Sequence, residues 1–283
     1  MTSYIQDANI SDAVERKVEK VLVQGKTAFQ EYIFFESKVH GTCISLDGDI
    51  QSCESDEAMY HEALVHPAML SFDKPKTVLI MGGGEGATAR EVLKHKSVEK
   101  VIMVDIDEEF VNLCKQYVPT WGKEAFEDER LEVLYEDINV YLKNCTDKFD
   151  VVIGDLIDVS DWDSPSAFLY GADLYKRLKT HLNPNAIVVT QGGALDASVP
   201  INHNRIRKSL KEVFYEISSY GVIVPSFYHL WSFIMASDNL DALKDRQELF
   251  TQRARSLQLE ALGISSLISS FNLPLKIQKN IGI

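Results

Sequence analysis

Short apolar segments alternate with amphipathic segments over most of the chain that follows Lys76. The apolar runs near 77–81, 100–104, 131–135, 150–154 and 186–190 have the length of buried strands, and the segments between them have helical spacing. This alternation predicts a parallel sheet covered by helices on both faces. Two later segments, 215–224 and 231–236, predict a final antiparallel pair, so the expected fold is α/β with a Rossmann-like, seven-stranded sheet.

The first part of the chain has a different pattern. From Phe29 to Gln51 apolar residues recur at short spacing, and Gly41 and Asp47-Gly48 supply turns, as in a small antiparallel β domain. A helix is expected from Ser55, acting as N-cap, to about Leu70, and residues 71–76 then form a linker. The pattern predicts two domains, an N-terminal β domain with its connecting helix (1–70) and a Rossmann-like domain (71–283).

Candidate chemistry begins at the end of the first parallel strand, with the run Gly82-Gly83-Gly84-Glu85-Gly86. About twenty residues on, the second strand ends in Asp105, which is placed to accept hydrogen bonds from ribose hydroxyls. Glu85 adds a carboxylate to the loop and indicates a nucleoside ligand that bears a cation. Simpler interpretations are a tight turn for the glycines, an N-cap near Asp107 for Asp105, and first-turn charge for Glu85.

Carboxylates also follow the third and fourth strands. Asp137 is placed to meet an adenine edge or, alternatively, to cap the next helix. Asp155 and Asp158 lie three residues apart after a buried strand, where they suit a polyamine. An amine that titrates near about 10.4 must lose a proton before it attacks, so Asp155 is the candidate base and Asp158 the candidate ammonium anchor. Loop and capping roles are the alternative for both.

Composition narrows the class of protein. The 283 residues are 45% hydrophobic with a formal net charge of −13, which argues against a nucleic-acid partner and suits cationic ligands, although acidity also serves solubility. No apolar run has membrane-spanning length, and the N-terminus lacks the pattern of a signal peptide, so a cytoplasmic location without membrane association is expected. The four cysteines are widely spaced and indicate neither a disulfide framework nor a metal site.

Taken together, these motifs resemble those of the aminopropyltransferases of the spermidine synthase family, which transfer a propylamine group from decarboxylated S-adenosylmethionine to a polyamine. The resemblance runs from about Phe29 to about Ala236. Its carriers are Leu46-Asp47-Gly48 with Gln51, Asp56-Glu57 with Tyr60, Gly82 to Gly86, Asp105-Ile106-Asp107 and the Asp155/Asp158 pair. It implies a methyltransferase-type sheet, a homodimer or homotetramer, and the decarboxylated donor as co-substrate with no metal or other cofactor.

The resemblance also implies roles for individual residues. Around the donor it places Gln30, His61, Gly82, Gly84, Glu85, Asp105, Asp137 and Ile138. At the reacting amine and the acceptor it places Tyr60, Asp155 and Asp158, with Asp155 and Tyr60 catalytic. Phe227 and Trp231 are expected to line the aliphatic part of a polyamine, or else to belong to the core. Glu85 would attract the ammonium of the decarboxylated donor and repel the carboxylate of intact S-adenosylmethionine.

Within the family the chain looks most like the thermospermine synthases, which use spermidine as acceptor. The signs include the runs Tyr60-His61-Glu62 and Gly84-Glu85-Gly86. Another sign is Phe227, which stands at a position where spermidine synthases typically carry tyrosine. The segment 159–165 departs from the family pattern, since Val159 replaces a proline, and is expected to cover the acceptor. Spermidine or spermine synthase specificity, a methyltransferase on the same fold, and an inactive polyamine-binding homologue are the alternatives.

Overall fold

The N-terminal part of the chain forms two antiparallel sheets. The computed structural model describes residues 3–7, 14–159, 162–163, 165–195, 200–239 and 246–283. A two-stranded sheet contains β1 (Ser3–Asp7) and β2 (Val14–Val18), and a four-stranded sheet contains β3 (Lys20–Lys26), β4 (Glu31–Ser37), β5 (Gly41–Leu46) and β6 (Asp49–Cys53). Asp47 and Gly48 both have positive φ, as a two-residue turn between β5 and β6 requires. The predicted antiparallel N-terminal region is therefore confirmed.

Helix α1 (Glu57–Ser71) follows this sheet, and its start differs from the prediction. Ser55 is not the N-cap, because the helix begins one residue later, after Asp56. The Asp56 side chain makes no cap bond and instead accepts hydrogen bonds from the backbone N and the Oγ of Ser226, at 2.6 and 2.9 Å. A contact between distant segments thus takes precedence over local capping.

Seven strands then form a mixed sheet in the order β12-β13-β11-β10-β7-β8-β9, in which β7 to β11 are parallel and β12 and β13 antiparallel. This confirms the predicted fold. The elements up to β10 are β7 (Thr77–Gly82), α2 (Ala87–Leu93), β8 (Lys100–Asp105), α3 (Glu108–Tyr117), α4 (Pro119–Gly122), β9 (Leu131–Tyr135), α5 (Ile138–Asn144) and β10 (Phe149–Asp155). Those after it are α6 (Ala172–Lys179), β11 (Leu182–Ala194), α7 (Ile201–Lys211), β12 (Glu216–Val224), β13 (His229–Ser237), α8 (Arg246–Arg253), α9 (Ile264–Ser269) and α10 (Leu275–Ile281).

Successive residues of each central strand point to opposite faces of this sheet, and both faces are buried. In β7, Val78 and Ile80 join the cluster that contains α1, while Leu79 and Met81 join the cluster beneath α5 and α6. All four are at most 1% exposed, which explains why the strand reads as a continuous apolar run. No helix in the described part of the chain is both long and apolar enough to cross a membrane.

The many charged residues between Asp238 and Arg255 are typical of a surface helix, and part of this segment is helical. Strand β13 continues to Ser237 and helix α8 begins at Arg246, while residues 240–245 lie outside the described residues. The ring of Phe250 is fully buried in the main core, where it lies 6.3 Å from that of Phe271. Leu249 and Ala254 pack against the same core, which gives this charged segment the apolar stripe of an amphipathic helix.

Candidate active site

A cavity of about 370 Å³ opens at the carboxyl ends of the parallel strands, where the strand order reverses between β7 and β10. Open α/β sheets bind ligands at this position. Ten of the predicted site residues line the cavity: Gln30, Tyr60, His61, Gly82, Gly84, Glu85, Asp105, Asp137, Ile138 and Asp155. Asp158, Phe227 and Trp231 are not among the lining residues.

The glycine loop brings β7 and its neighbours into close approach. Gly82 has a φ of +78°, and a Cβ there would lie 2.2 Å from the carbonyl oxygen of Asp155. A Cβ on Gly84 would lie 2.9 Å from the Phe110 ring and 3.0 Å from the Asp105 carboxylate. The backbone N of Gly83 donates to the Asp155 carbonyl at 3.0 Å, which fixes the end of β10 beside the loop. The loop is therefore both a tight turn and one wall of the cavity.

Asp105 also lines the cavity, and its carboxylate accepts a hydrogen bond from the backbone N of Asp107 at 2.9 Å. Burial, assisted by the charge of Asp107, raises the pKa of Asp105 to about 6. Asp107, not Asp105, caps α3, through Phe110 N at 3.0 Å, and it also accepts from Gln30 Nε2 at 3.0 Å. Asp105 is thus left to face the cavity, and Asp107 orients Gln30.

Asp137 and Ile138 form the wall next to Asp105. The Asp137 carboxylate accepts from Asn139 N at 2.6 Å and caps α5, so the capping interpretation is correct in geometry, yet the same residue also lines the cavity. Ile138 is buried and presents an apolar surface beside it. A planar aromatic ligand with polar edges would meet both kinds of group here.

His61 stands between carboxylates. Its Nδ1 lies 3.0 Å from Glu57 Oε2, and its Nε2 lies 3.6 Å from Glu85 Oε2 and 3.9 Å from Asp155 Oδ2. Burial by itself would lower the pKa of His61, but the hydrogen bond to Glu57 and the neighbouring carboxylates outweigh that effect and raise it to about 9. Sequence reasoning did not identify Glu57 as the partner of His61, although their separation of four residues on a helix is a usable signal.

Glu85 contributes to the cavity a carboxylate with an oxygen atom that accepts no hydrogen bond within the described part of the chain. This atom is Oε2, which is buried. Burial raises the pKa of Glu85 to about 8, although His61 acts in the opposite direction. A buried carboxylate oxygen without a donor favours a ligand that brings one, and an ammonium supplies both a donor and a compensating charge.

Asp155 is held through both of its carboxylate oxygens. Oδ1 accepts from the hydroxyl of Tyr60 at 3.0 Å, and Oδ2 accepts from Thr88 Oγ1 at 2.6 Å. Burial and the charge of Asp155 keep the pKa of Tyr60 well above its usual range, so Tyr60 stays a donor. Thr88 was missed from the sequence. The signal is a hydroxyl residue in the first turn of the helix that follows the glycine loop.

Two predicted acceptor residues lie behind Tyr60. The ring of Phe227 is 6.0 Å from that of Tyr60 and 4.6 Å from that of Trp231. Tyr60 also packs against Phe233 at 5.4 Å. Phe227 and Trp231 are both only partly buried, and both pack against the main core, with Phe227 next to the Tyr60 ring.

The third predicted acceptor residue, Asp158, lies on the loop after β10. Its Oδ1 accepts from Gln191 Nε2 at 2.8 Å, and Gln191 Nε2 is also 2.7 Å from the Tyr170 hydroxyl. Tyr170 in turn donates to the backbone carbonyls of Leu156 and Ile157, at 3.1 and 3.0 Å. Sequence reasoning assigned no role to Gln191 or Tyr170, which position this loop from distant parts of the chain.

The segment 159–165 falls only partly within the described residues, since 160, 161 and 164 lie outside them. The carbonyl of Val159 accepts from Asn202 Nδ2 at 3.1 Å, and Trp162 Nε1 donates to Asn202 Oδ1 at 2.8 Å. The guanidinium of Arg205 lies 5.0 Å from the centre of the Trp162 ring. Helix α7 therefore anchors this segment at two points.

The arrangement has a clear chemical capacity. The cavity wall includes Asp105, a suitable acceptor for ribose hydroxyls, and the carboxylates of Glu85 and Asp155. A nucleoside that carries positive charge fits this polarity. Asp155, oriented by two hydroxyl donors, is able to accept a proton from an attacking group.

Known proteins share this architecture. Residues 57–247 match the spermine/spermidine synthase domain, and residues 4–54 match the spermidine synthase tetramerisation domain. The crystal structure of spermidine synthase from Thermotoga maritima superposes with a TM-score of 0.86 at 26% identity, covering 99% of this chain and 94% of that one. A crystal structure of spermidine synthase in complex with the transition state analogue AdoDATO gives a TM-score of 0.88 at 26% identity, with coverage of 99% and 95%.

Proteins that are similar in sequence include two enzymes of polyamine metabolism by name. A polyamine aminopropyltransferase of Aeropyrum pernix is 43% identical over 268 residues, which covers 93% of this chain and 85% of that protein. Thermospermine synthase ACAULIS5 of Arabidopsis thaliana is 38% identical over 262 residues, which covers 90% of this chain and 76% of that protein. With its two domain matches and these relatives, the chain belongs to the spermine/spermidine synthase family of polyamine aminopropyltransferases.

Proposed function

We propose that the protein transfers an aminopropyl group from decarboxylated S-adenosylmethionine to spermidine, giving thermospermine and 5′-methylthioadenosine. The observation that carries the choice of donor is the buried carboxylate oxygen of Glu85 beside the glycine loop, which has no hydrogen-bond partner among the described residues. The decarboxylated donor presents an ammonium and a sulfonium, which suit this oxygen. Intact S-adenosylmethionine would bring a carboxylate close to Glu85, and the repulsion disfavours a methyl-transfer reaction.

In the proposed reaction, the lone pair of the acceptor amine attacks the methylene carbon next to the sulfonium. The carbon–sulfur bond breaks, and its electron pair neutralises the sulfur of the departing 5′-methylthioadenosine. The attacking nitrogen loses a proton to Asp155, whose carboxylate is oriented by Tyr60 and Thr88. Because the leaving group is an already charged sulfonium, the chain's own side chains have only to orient the amine, accept its proton and exclude water.

The choice of spermidine as acceptor is supported by the aromatic surface of Phe227 and Trp231 behind Tyr60. Phe227 has no hydroxyl, so this surface is more apolar than a tyrosine would make it, and it suits the methylene segments of a longer polyamine. Asp158, held by Gln191, is the proposed anchor for a distal ammonium. The similarity to a thermospermine synthase agrees with this choice. Putrescine as acceptor, or spermine as product, is the competing specificity.

The test is to incubate the purified protein with decarboxylated S-adenosylmethionine and each of putrescine and spermidine. Release of 5′-methylthioadenosine reports the reaction class, and chromatography that separates thermospermine from spermine reports the product. Thermospermine from spermidine is the expected result. Spermine, or turnover with putrescine alone, would overturn the acceptor assignment, and no methylthioadenosine with either amine would overturn the whole proposal.

The quaternary structure belongs to the same proposal. The match of residues 4–54 to a tetramerisation domain supports a homotetramer assembled through the N-terminal strands, with a homodimer as the smaller alternative. Sedimentation velocity of the purified protein distinguishes these states from a monomer, which would contradict both.

A further inference from the structure

We propose that His61 is the resident cation of the donor site: it is protonated while the site is empty and releases the proton on Nε2 when the cationic donor binds. This inference rests on the proposed function, since it requires a donor that carries positive charge. In addition to contact with the donor, it gives His61 a second role: its positive charge balances the carboxylates of the site until the positive charge of the donor replaces it.

The position of the first proton follows from the partners of Nδ1. This atom lies 2.7 Å from the backbone carbonyl oxygen of Glu57 and 3.0 Å from Glu57 Oε2. Both partners accept hydrogen bonds, so Nδ1 carries a hydrogen in either charge state of the ring. The charge of His61 is therefore decided at Nε2.

The surroundings of Nε2 favour a second proton. Glu85 on the glycine loop and Asp155 at the end of β10 face it at 3.6 and 3.9 Å. The Tyr60 ring and the imidazole pack nearly perpendicular to each other, with the ring centres 5.0 Å apart. Among the described residues, no cationic side chain other than His61 forms an ion pair with Glu85 or Asp155. A proton on Nε2 thus neutralises part of a buried negative site.

Arg90 on helix α2 does not replace His61 as this cation. Its two terminal nitrogens donate to the two oxygens of Glu57, at 3.0 and 2.9 Å, and its Nε donates to Glu91 at 2.7 Å. The guanidinium is therefore engaged on the far side of Glu57 and holds that carboxylate against His61. Glu57 and Arg90 are positioning residues, because they fix the orientation of the imidazole without lining the cavity.

Donor binding changes the balance of charge. The ammonium and the sulfonium enter a site that already holds an imidazolium, and like charges in a buried cavity repel strongly. Loss of the Nε2 proton to the buffer removes that repulsion and frees the Nε2 lone pair, which can accept a hydrogen bond from the donor's ammonium. The raised pKa of His61, about 9, places this exchange within the range of neutral and mildly alkaline buffers.

The experiment is isothermal titration calorimetry of the whole enzyme without acceptor, in phosphate and in Tris at pH 7.5. The two buffers differ in ionisation enthalpy, so the difference in heat counts the protons released. Decarboxylated S-adenosylmethionine should release about one proton more than the uncharged 5′-methylthioadenosine. Its affinity should also increase with pH below 9, by at most about tenfold per pH unit for each proton released.

Three variants locate the source of the proton. His61→Gln should lose about one released proton, and Glu57→Gln should lose part of it, because an amide stabilises an imidazolium less than a carboxylate does. His181→Gln serves as the control, since His181 precedes β11 beside Cys145 and is not among the cavity residues, and it should leave the count unchanged.

Two outcomes overturn the inference, and neither resembles failure of the proposed function. If wild-type enzyme binds and turns over the donor but releases no more protons than with 5′-methylthioadenosine, His61 is not exchanging a proton. If His61→Gln still binds the donor and releases as many protons as wild type, the source is another group, with Glu85 the first to consider. Failure of the donor to bind at all would instead contradict the proposed function.

Discussion

The hydroxyl of Thr88 offers a sharp test of how Asp155 is positioned. Thr88 is fully buried, and its Oγ1 donates to Asp155 Oδ2 at 2.6 Å. Thr88→Val removes this hydrogen bond while keeping the size and the β-branch of the side chain. A hydrogen bond to a charged group contributes about 1.5–3 kcal/mol, which corresponds to a loss of roughly 10- to 150-fold in rate if it is expressed fully in the transition state.

The assay is the steady-state release of 5′-methylthioadenosine, with the effect expected mainly in kcat because Thr88 contacts the proposed base. Thr88→Ser is the matched control: it keeps the hydroxyl, loses a methyl group and should retain activity to within about threefold of wild type. Calorimetric affinity for 5′-methylthioadenosine should be similar in both variants, which separates positioning from a collapsed site. Equal activity of Thr88→Val and Thr88→Ser would refute the role of this hydrogen bond.

Three further predictions concern Asp155, Glu62, and the pair His61 and Glu85. Asp155→Asn should lower the rate constant of product formation in single-turnover assays by at least about a hundredfold, because an amide cannot take up the amine proton. A wild-type rate constant would exclude Asp155 as the base. The buried carboxylate of Glu62 accepts hydrogen bonds from the backbone N atoms of residues 260–262. Glu62→Gln should therefore lower the free energy of unfolding, measured in urea, by about 2–4 kcal/mol. The control Glu260→Gln should have little effect, because the Glu260 side chain is partly exposed. In the folded state the pKa values of His61 and Glu85 are about 9 and 8, above their ordinary values. The stability that these groups contribute is therefore complete at low pH and declines as the pH rises through those values. The melting temperature of the unliganded protein should fall progressively from pH 6.5 to 9, and a melting temperature that stays constant would contradict this.

Much of the site could be predicted because parallel strands end at the same edge of a sheet. Gly82, Asp105 and Asp155 are separated by up to 73 residues in sequence, yet each follows an apolar run, and that position alone brings them into one cavity. The glycine run likewise suits a close approach of two segments, since a Cβ on Gly82 would lie 2.2 Å from the carbonyl oxygen of Asp155. The alternation of apolar and amphipathic segments determined the fold class for the same reason.

Other features depended on contacts between segments that no local pattern links. Asp56 bonds to Ser226 and so leaves α1 without the side-chain cap expected from Ser55. Phe250 is drawn into the core from a segment whose charge predicted a surface helix. Phe227 and Trp231 were expected to line a pocket or to belong to the core; they are not among the cavity's lining residues, and both pack against the main core, with Phe227 next to Tyr60.

The sequence by itself determined which chemical groups stand at the ends of the strands, because strand length and side-chain periodicity are local properties. The tertiary structure alone decided how those groups are held and charged. Thr88 and Tyr60 meet on Asp155 from two different helices, and Glu57 with Arg90 sets the environment of His61. Hydrogen-bond partners and buried charge depend on distances across the fold, and spacing along the chain does not specify them.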